Sequence, residues 1–276
     1  MELPSALWRA SKSVLTIIAG IALGLPLLLW AMQDSLIFHP PDAPATAPRS
    51  VGRSVAAIAV PVGDGLALNG WLARPASASG RLPLLIYFGR NAEEVSWMAE
   101  MSARFPGWAL LAVNYRGYGG NPGRPGEAAI AADALAIHDW AVARGDVEPA
   151  RVVVIGRSLG SGAAVHLAAA RKLAGVVLVT PFDSLTAVAQ NLYRFVPVGW
   201  LLRHPFDSHA RAAAVDIPML ALVAGRDTLI PPAHARRLFE AWRGPKEWHL
   251  IADADHNSID GEPSYWETIA AFLAAR

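Results

Sequence analysis

Short apolar runs alternate with helical patterns along most of the chain. Runs rich in Val, Leu, Ile and Ala predict strands over residues 55–60, 66–73, 84–88, 109–113, 151–155, 176–180, 218–223 and 247–251. Helical spacing of apolar residues falls between them, over residues 93–104, 127–143, 161–173, 232–243 and 263–275. The first two runs flank Gly63-Asp64-Gly65, a strong hairpin signal. A hairpin followed by alternating strands and helices predicts an α/β fold, with a mostly parallel sheet covered by helices on both faces.

Residues 151–162 contain the sharpest change of pattern. Four β-branched residues in a row, 152–155, are typical of a central strand buried on both faces. The run ends at Gly156, Ser158 follows, and an Ala-rich helical segment begins after Gly160. Small residues on both sides of a serine let the chain turn sharply and lift the hydroxyl above the sheet. We therefore predict Ser158 as a nucleophile.

This turn has two other interpretations. The spacing of Gly156, Gly160 and Gly162 also imitates the glycine loop that holds a dinucleotide pyrophosphate at a helix N-terminus. Such a loop normally follows the first strand of a domain, whereas this one follows at least four predicted strands, and no tyrosine here has a lysine four residues later. The other interpretation is an ordinary turn in which the serine has no chemical role. A nucleophilic serine needs a base and an acid elsewhere in the chain, so finding such residues distinguishes the nucleophile from the ordinary turn.

A serine nucleophile needs a base within hydrogen-bond reach and an acid that fixes the tautomer of that base. His256 lies in a polar loop directly after the last predicted strand, and we predict it as the general base. Asp227 follows the preceding strand, residues 218–223, and we predict it as the acid. Ends of adjacent parallel strands meet at one edge of a sheet, so these side chains are expected to lie close together.

The other candidates fit this arrangement less well. Asp253 and Asp255 are interpreted as loop acids beside His256, and Asp183 is a weaker rival because it follows an earlier strand. The remaining histidines fall in a strand, in helical patterns, in the segment after the N-terminal apolar run, or within or directly after residues 183–208: His249, His138, His166, His234, His39, His204 and His209.

Two main-chain N–H groups are predicted to stabilise a tetrahedral oxyanion. One belongs to Leu159, directly after the nucleophile at the start of a helix. The other is expected from the loop after the strand at 84–88, where we choose Asn91, with Arg90 as the neighbouring alternative.

The chain order Ser158, Asp227, His256 is that of α/β-hydrolases. Several motifs also resemble the small membrane-anchored α/β-hydrolases of the Bem46-like group, over nearly the whole chain. They are Gln33-Asp34-Ser35-Leu36-Ile37-Phe38-His39-Pro40, Asn114-Tyr115-Arg116-Gly117-Tyr118-Gly119, Gly156-Arg157-Ser158-Leu159-Gly160-Ser161-Gly162, Thr180-Pro181-Phe182-Asp183-Ser184, Gly225-Arg226-Asp227 and Asp255-His256-Asn257. The resemblance implies an esterase, thioesterase or peptidase-like serine hydrolase that needs no metal or cofactor, and it implies no single substrate.

The oxyanion loop departs from that family pattern. The family commonly has His-Gly-Asn-Ala here, whereas this chain has Phe88-Gly89-Arg90-Asn91-Ala92. Two interpretations of Arg90 stay open: contact with an anionic group of the substrate, or exposure to solvent.

Residues 13–33 form an uncharged run of 21 residues, and they predict one membrane-spanning helix. A cleaved signal peptide and a buried core helix are the alternatives. Arg9 and Lys12 precede the run and the next cation is Arg49, so the charge bias predicts a cytoplasmic N-terminus and a domain outside, in the periplasm of a Gram-negative source. We expect a segment at 1–33 with the anchor, a Pro-rich tether at 34–54 and a catalytic domain at 55–276.

Composition excludes some kinds of partner and site. The chain of 276 residues has a formal charge of +1, which gives no reason to expect nucleic acid as a partner, and it has no cysteine for a disulfide or a thiolate site.

Residues 183–208 predict helices rather than strands and are interpreted either as a short partial lid or as ordinary helix packing.

We therefore expect a membrane-anchored serine hydrolase of carboxylic esters or thioesters, acting through an acyl-enzyme on a small-molecule or lipid-like acyl substrate. A peptidase or amidase of the same fold, and a non-catalytic binding module, are the alternatives. The sequence does not predict the oligomeric state.

Overall fold

An eight-stranded sheet forms the centre of the computed structural model, which describes residues 5–41 and 47–276. The strands are β1 Arg53–Pro61, β2 Ala67–Pro75, β3 Leu82–Phe88, β4 Ala109–Val113, β5 Val147–Arg157, β6 Gly175–Val179, β7 Met219–Ala224 and β8 Lys246–Ile251. Each predicted run coincides with one of these strands, although the runs at 66–73, 176–180 and 218–223 each extend one residue beyond it, and β5 is longer than its prediction at both ends.

The strands lie in the order β1-β2-β4-β3-β5-β6-β7-β8. β1 pairs antiparallel with β2, β2 pairs antiparallel with β4, and the remaining neighbours are parallel. Asp64 and Gly65, both with positive φ, form the turn of the opening hairpin. The predicted fold class, a mostly parallel sheet with an opening hairpin, is confirmed.

Helices cover both faces of the sheet. The α-helices of the described residues are α1 Ser5–Ile37, α2 Ser96–Glu100, α3 Glu127–Val142, α4 Leu159–Ala170, α5 Leu185–Leu192, α6 Val198–Leu201, α7 Ser208–Ala212, α8 Pro232–Ala241 and α9 Pro263–Ala274. Residues 101–104, at the end of the predicted helix 93–104, form a short 3₁₀ turn rather than α-helix.

Alternate side chains of β5 enter two separate apolar cores. Val152 and Val154 pack with residues of α3, α4 and α8, whereas Val153 and Ile155 pack with residues of α2 and α9. All four are fully buried. Successive side chains of a strand point to opposite faces, so an unbroken β-branched run is what a strand covered on both faces requires.

The N-terminal helix ends later than the sequence predicts. α1 continues through Ile37, so the first residues of the predicted tether are helical, and Phe38 directly after it is buried against the domain. Over residues 5–41 and 47–276, no helix combines the length and the apolar character that crossing a membrane requires. The membrane-spanning helix predicted over residues 13–33 is therefore not supported.

Candidate active site

Ser158 lies at the turn between β5 and α4, in a strained conformation. Its φ is 52° and its ψ is −115°, a region that residues with a side chain rarely adopt. The Ser158 N–H donates to the carbonyl oxygen of Val179 at 2.9 Å, and the Ser161 hydroxyl donates to the Ser158 carbonyl oxygen at 2.6 Å. The sheet and the first turn of α4 thus hold the serine in place.

Two glycines let this turn close. A Cβ on Gly156 would overlap the carbonyl oxygen of Gly160, and a Cβ on Gly160 would overlap the carbonyl oxygens of Phe88 and Gly89. The obstacles are main-chain atoms, which no side-chain rotation can move away. The small residues that flank Ser158 are therefore required by the close approach of α4 to β3 and β5.

The structure brings Ser158, His256 and Asp227 into one hydrogen-bonded chain. His256 Nε2 lies 2.9 Å from Ser158 Oγ, and His256 Nδ1 lies 2.7 Å from Asp227 Oδ2. The other carboxylate oxygen of Asp227 accepts the N–H groups of Leu229 and Ile230 at 3.0 and 2.8 Å. Each of the three side chains is at most 7% exposed. This geometry suits proton transfer from the hydroxyl to an imidazole oriented by a carboxylate.

The loops after β7 and β8 are joined by main-chain hydrogen bonds. Gly225 N–H donates to Ile251 O, and Arg226 N–H donates to Ala254 O, each at 2.9 Å. A Cβ on Gly225 would overlap the main chain of Ala252, so glycine is needed where the loops meet. These contacts fix Asp227 relative to His256.

The structure gives the rival carboxylates other partners. Asp253 pairs with Arg226 in solvent, and Asp255 accepts the N–H groups of Asn257 and Ser258 within its own loop. Those N–H groups lower the pKa of the exposed Asp255.

Asp183 belongs to a second histidine–carboxylate pair. Its Oδ1 lies 2.7 Å from His234 Nδ1 on α8, and its Oδ2 accepts from Arg237 Nε at 2.5 Å. Burial raises the pKa of Asp183, but the hydrogen bonds from His234 and Arg237 outweigh burial and lower the pKa to about 2. Asn191 of α5 contacts His234 Nε2 at 2.8 Å, so this cluster joins α5 to α8.

Leu159 and Asn91 both line the cavity beside Ser158. The side chain of Asn91 is occupied by the N-terminal segment: its Nδ2 donates to Ile37 O at 2.6 Å, and its Oδ1 accepts from His39 N–H at 3.0 Å and from Tyr118 Oη at 2.7 Å. The main-chain N–H of Asn91 is the predicted oxyanion donor, whereas its side chain binds the end of α1 and the residues that follow it.

Arg90 lies beside this loop and contacts protein groups. Its Nη1 donates to Asn257 Oδ1 at 3.2 Å, and its Nε lies 3.3 Å from Glu93 Oε2. The side chain keeps about a third of its exposure. Neither interpretation of Arg90 anticipates these two contacts.

A buried polar cluster beneath the site is not predicted by the sequence. Arg157, 2% exposed, donates from Nη2 to the carbonyl oxygen of Asn257 at 3.3 Å and to Asp260 Oδ1 at 3.1 Å. Glu93 accepts from Tyr87 Oη at 2.7 Å, and burial raises the pKa of both groups. One signal is visible in the sequence: Arg157 continues a strand whose β-branched run at 152–155 predicts burial on both faces, and a buried arginine requires partners.

An apolar cavity of about 390 Å³ opens beside Ser158. Its walls come from the end of α1, from Leu159 at the start of α4, from the loop that carries Asn91, and from α5 and α6. Residues 183–208 therefore do line the space next to the serine. Within residues 5–41 and 47–276, no group of three or more His, Asp or Glu side chains is arranged to hold a metal ion.

The sheet order, the crossing helices and the serine turn between β5 and α4 define an α/β-hydrolase fold. Solved structures share it. An acetyl xylan esterase from Paenibacillus sp. R4 has a TM-score of 0.66 and 22% identity over 90% of this chain and 93% of its own. The Pyrococcus furiosus esterase Pf2001 has a TM-score of 0.66 and 17% identity over 86% of this chain and 99% of its own. At these identities the likeness shows the fold.

Curated relatives match across most of the chain. The uncharacterized protein Rv2307c of Mycobacterium tuberculosis is 37% identical over 253 residues, which cover 90% of each chain. The α/β hydrolase domain-containing protein WAV2 of Arabidopsis thaliana is 26% identical over 93% of this chain and 91% of its own. No protein-family model matches. The chain belongs to the same family as Rv2307c, within the α/β-hydrolase superfamily. The Bem46-like subgroup stays a prediction.

Proposed function

We propose that the protein is a serine hydrolase that cleaves carboxylic esters or thioesters through an acyl-enzyme intermediate. The observation that carries this proposal is the hydrogen-bonded chain from Ser158 through His256 to Asp227, buried at the carboxyl edge of the sheet and open to an apolar cavity. A nucleophile, a base and an orienting acid within hydrogen-bond distance are the minimum that acyl transfer by a serine requires.

Acylation begins with proton transfer. His256 Nε2 accepts the proton of the Ser158 hydroxyl as the oxygen attacks the carbonyl carbon of the ester. Asp227 accepts the N–H at His256 Nδ1 and stabilises the imidazolium that forms. The bond to the leaving alcohol or thiol then breaks, and His256 returns the proton to that group. Ser158 now carries the acyl group.

The charge that develops on the substrate oxygen needs donors. We assign this role to the main-chain N–H groups of Leu159, at the first position of α4, and of Asn91. The start of a helix also favours negative charge there. Water deprotonated by His256 attacks the acyl carbon in the second half of the reaction, and collapse of that intermediate frees the acid and restores Ser158.

Labelling with a fluorophosphonate probe tests the nucleophile directly. We expect the purified wild-type chain to be labelled and Ser158→Ala to stay unlabelled. Ser184→Ala is a matched control, because Ser184 caps α5 and contacts none of the three residues. Folded wild-type protein that does not react with the probe would favour a non-catalytic binding module.

Substrate class is tested in parallel with p-nitrophenyl esters, acyl thioesters and aminoacyl p-nitroanilides. We expect turnover of the esters and thioesters. Faster turnover of the anilides than of the esters would make the protein an amidase or peptidase and overturn this part of the proposal.

The compartment of the domain stays a prediction from the sequence. Arg9 and Lys12 precede the uncharged residues 13–33, and this charge bias favours a domain outside the cytoplasm. Alkaline phosphatase and green fluorescent protein fused in turn to the C-terminus test it. Active phosphatase is expected, and a fluorescent fusion in the cytoplasm would contradict the prediction.

A further inference from the structure

The end of α1 forms one wall of the cavity beside Ser158. The residues that line the cavity from this helix are 29, 30, 33, 36 and 37. They recur with the period of a helix and so lie on one face of α1. Leu28 and Leu27 are more than half exposed and do not line the cavity, since they lie on other faces of the same helix.

Polar contacts hold this face of α1 against the chain that follows α6. Gln33, only 5% exposed, donates from Nε2 to Leu201 O at 3.2 Å and accepts Arg203 N–H at 2.7 Å. Asp34 Oδ1 accepts from Arg203 Nη2 at 2.8 Å and lies 3.0 Å from His204 Nε2. A buried amide whose donor and acceptor are both used fixes the rotation of its helix, because turning α1 would break both hydrogen bonds.

The part of the lining outside α1 is largely apolar as well. Leu185 and Val188 of α5 and Val198 of α6 belong to it, and the lining contains no Asp, Glu, Lys or Arg among the described residues. Such a space has no carboxylate, ammonium or guanidinium partner for a charged acyl group, and burying an unpaired charge is costly. Each methylene of an aliphatic chain that leaves water for this cavity makes the free energy of binding more favourable.

We propose that the helix α1 is a specificity element of the active site. Its Leu29, Leu36 and Ile37, together with α5 and α6, form a pocket for the unbranched aliphatic acyl chain of the ester. This inference rests on the proposed function, because the pocket acts on the acyl group that Ser158 attacks. It adds that the N-terminal helix, outside the predicted catalytic domain, selects the substrate.

Substitutions on neighbouring residues of α1 test the inference in the full chain. Leu29→Trp fills the pocket, and Leu28→Trp adds the same bulk on the exposed side of the helix. The readout is kcat/KM for p-nitrophenyl esters from acetate to dodecanoate. For wild type we expect a rise of about fourfold for each added methylene until the pocket is full. Leu29→Trp should lower kcat/KM for the longer esters by more than for the shorter ones and so move the preferred chain to a shorter length, whereas Leu28→Trp should keep the wild-type profile.

A second measurement needs no variant. Straight-chain alkylboronic acids, which bind reversibly to a nucleophilic serine, should protect wild-type protein from fluorophosphonate with an affinity that rises with chain length. Flat protection from methyl to octyl, an unchanged chain-length profile in Leu29→Trp, or an equal change in Leu28→Trp would overturn the acyl pocket and leave the serine hydrolase intact. Absence of both labelling and ester turnover in wild type would instead remove the proposed function itself.

Discussion

Arg157 donates a hydrogen bond from Nη2 to the main-chain carbonyl oxygen of Asn257 at 3.3 Å. Arg157 directly precedes Ser158, and Asn257 directly follows His256. One buried side chain therefore connects the strand that carries the proposed nucleophile with the loop that carries the proposed base. The same guanidinium reaches Asp260 at 3.1 Å, which lies on that loop as well.

We predict that Arg157→Met lowers kcat by roughly 10–100-fold with little change in KM, because a small displacement of His256 is enough to spoil proton transfer. Steady-state kinetics on a p-nitrophenyl ester measures it. Asp260→Asn is the matched control, since it removes a carboxylate partner and keeps the contact with Asn257. An equal loss in both variants, or a loss confined to KM, would show that Arg157 does not position the base.

Asp227→Asn should lower kcat by about 10⁴-fold, because an amide in this position favours the wrong imidazole tautomer. Asp255→Asn should stay within tenfold of wild type, since Asp255 contacts only its own loop. Both variants are compared by single-turnover kinetics. A slow Asp255→Asn beside a near-normal Asp227→Asn would reverse the assignment of the acid.

Gly160→Ala should destabilise the protein by about 3 kcal/mol, because its Cβ would overlap the main-chain oxygens of Phe88 and Gly89 at the end of β3. Gly145→Ala is the matched control: its Cβ meets nothing within 4 Å, and the free energy of unfolding should change by less than about 1 kcal/mol. Urea unfolding followed by fluorescence gives both values. Equal stabilities would contradict the close packing of α4 on β3.

The pair of Asp183 with His234 predicts a pH-dependent contribution to stability. The folded-state pKa of Asp183 is about 2, below its ordinary value, so its stabilising effect is present above about pH 4 and is lost as the pH falls through 2. Asp183→Asn should cost about 2 kcal/mol at pH 7, and the difference from wild type should shrink below pH 4.

Denaturant unfolding between pH 7 and pH 3 measures that difference. Asp253→Asn serves as control, because its ion pair with Arg226 is exposed and contributes little. A constant difference between Asp183→Asn and wild type over this range would contradict the linkage.

The sheet is predictable from the sequence because its strands carry dense apolar runs. The β-branched run at 152–155 indicates a strand covered on both faces, and the structure has it in that position. The meeting of Ser158, Asp227 and His256 follows from topology, since each residue comes after a parallel strand and these strands end at one edge.

The contacts of Arg157 and α1 are not predictable in this way. Arg157 bonds to a residue 100 positions away, and nothing in the local pattern of β5 indicates a partner in the loop after β8. Within the apolar run at 13–33, residues 29, 30 and 33 line the cavity, and the pattern does not indicate this because hydropathy records the preference for leaving water and not the surface that replaces it. The residues next to Gln33 in the sequence do not indicate its hydrogen bonds to residues 201 and 203.

Trimming the N-terminus is a common way to obtain a hydrolase domain for crystallisation or for screening inhibitors. In this protein, a truncation that starts at the first strand would discard Leu29, Leu36 and Ile37 and open on one side the cavity that we propose as the acyl pocket. Ser158, His256 and Asp227 would all be retained, so such a fragment could still react with small esters while reporting the wrong chain-length selectivity.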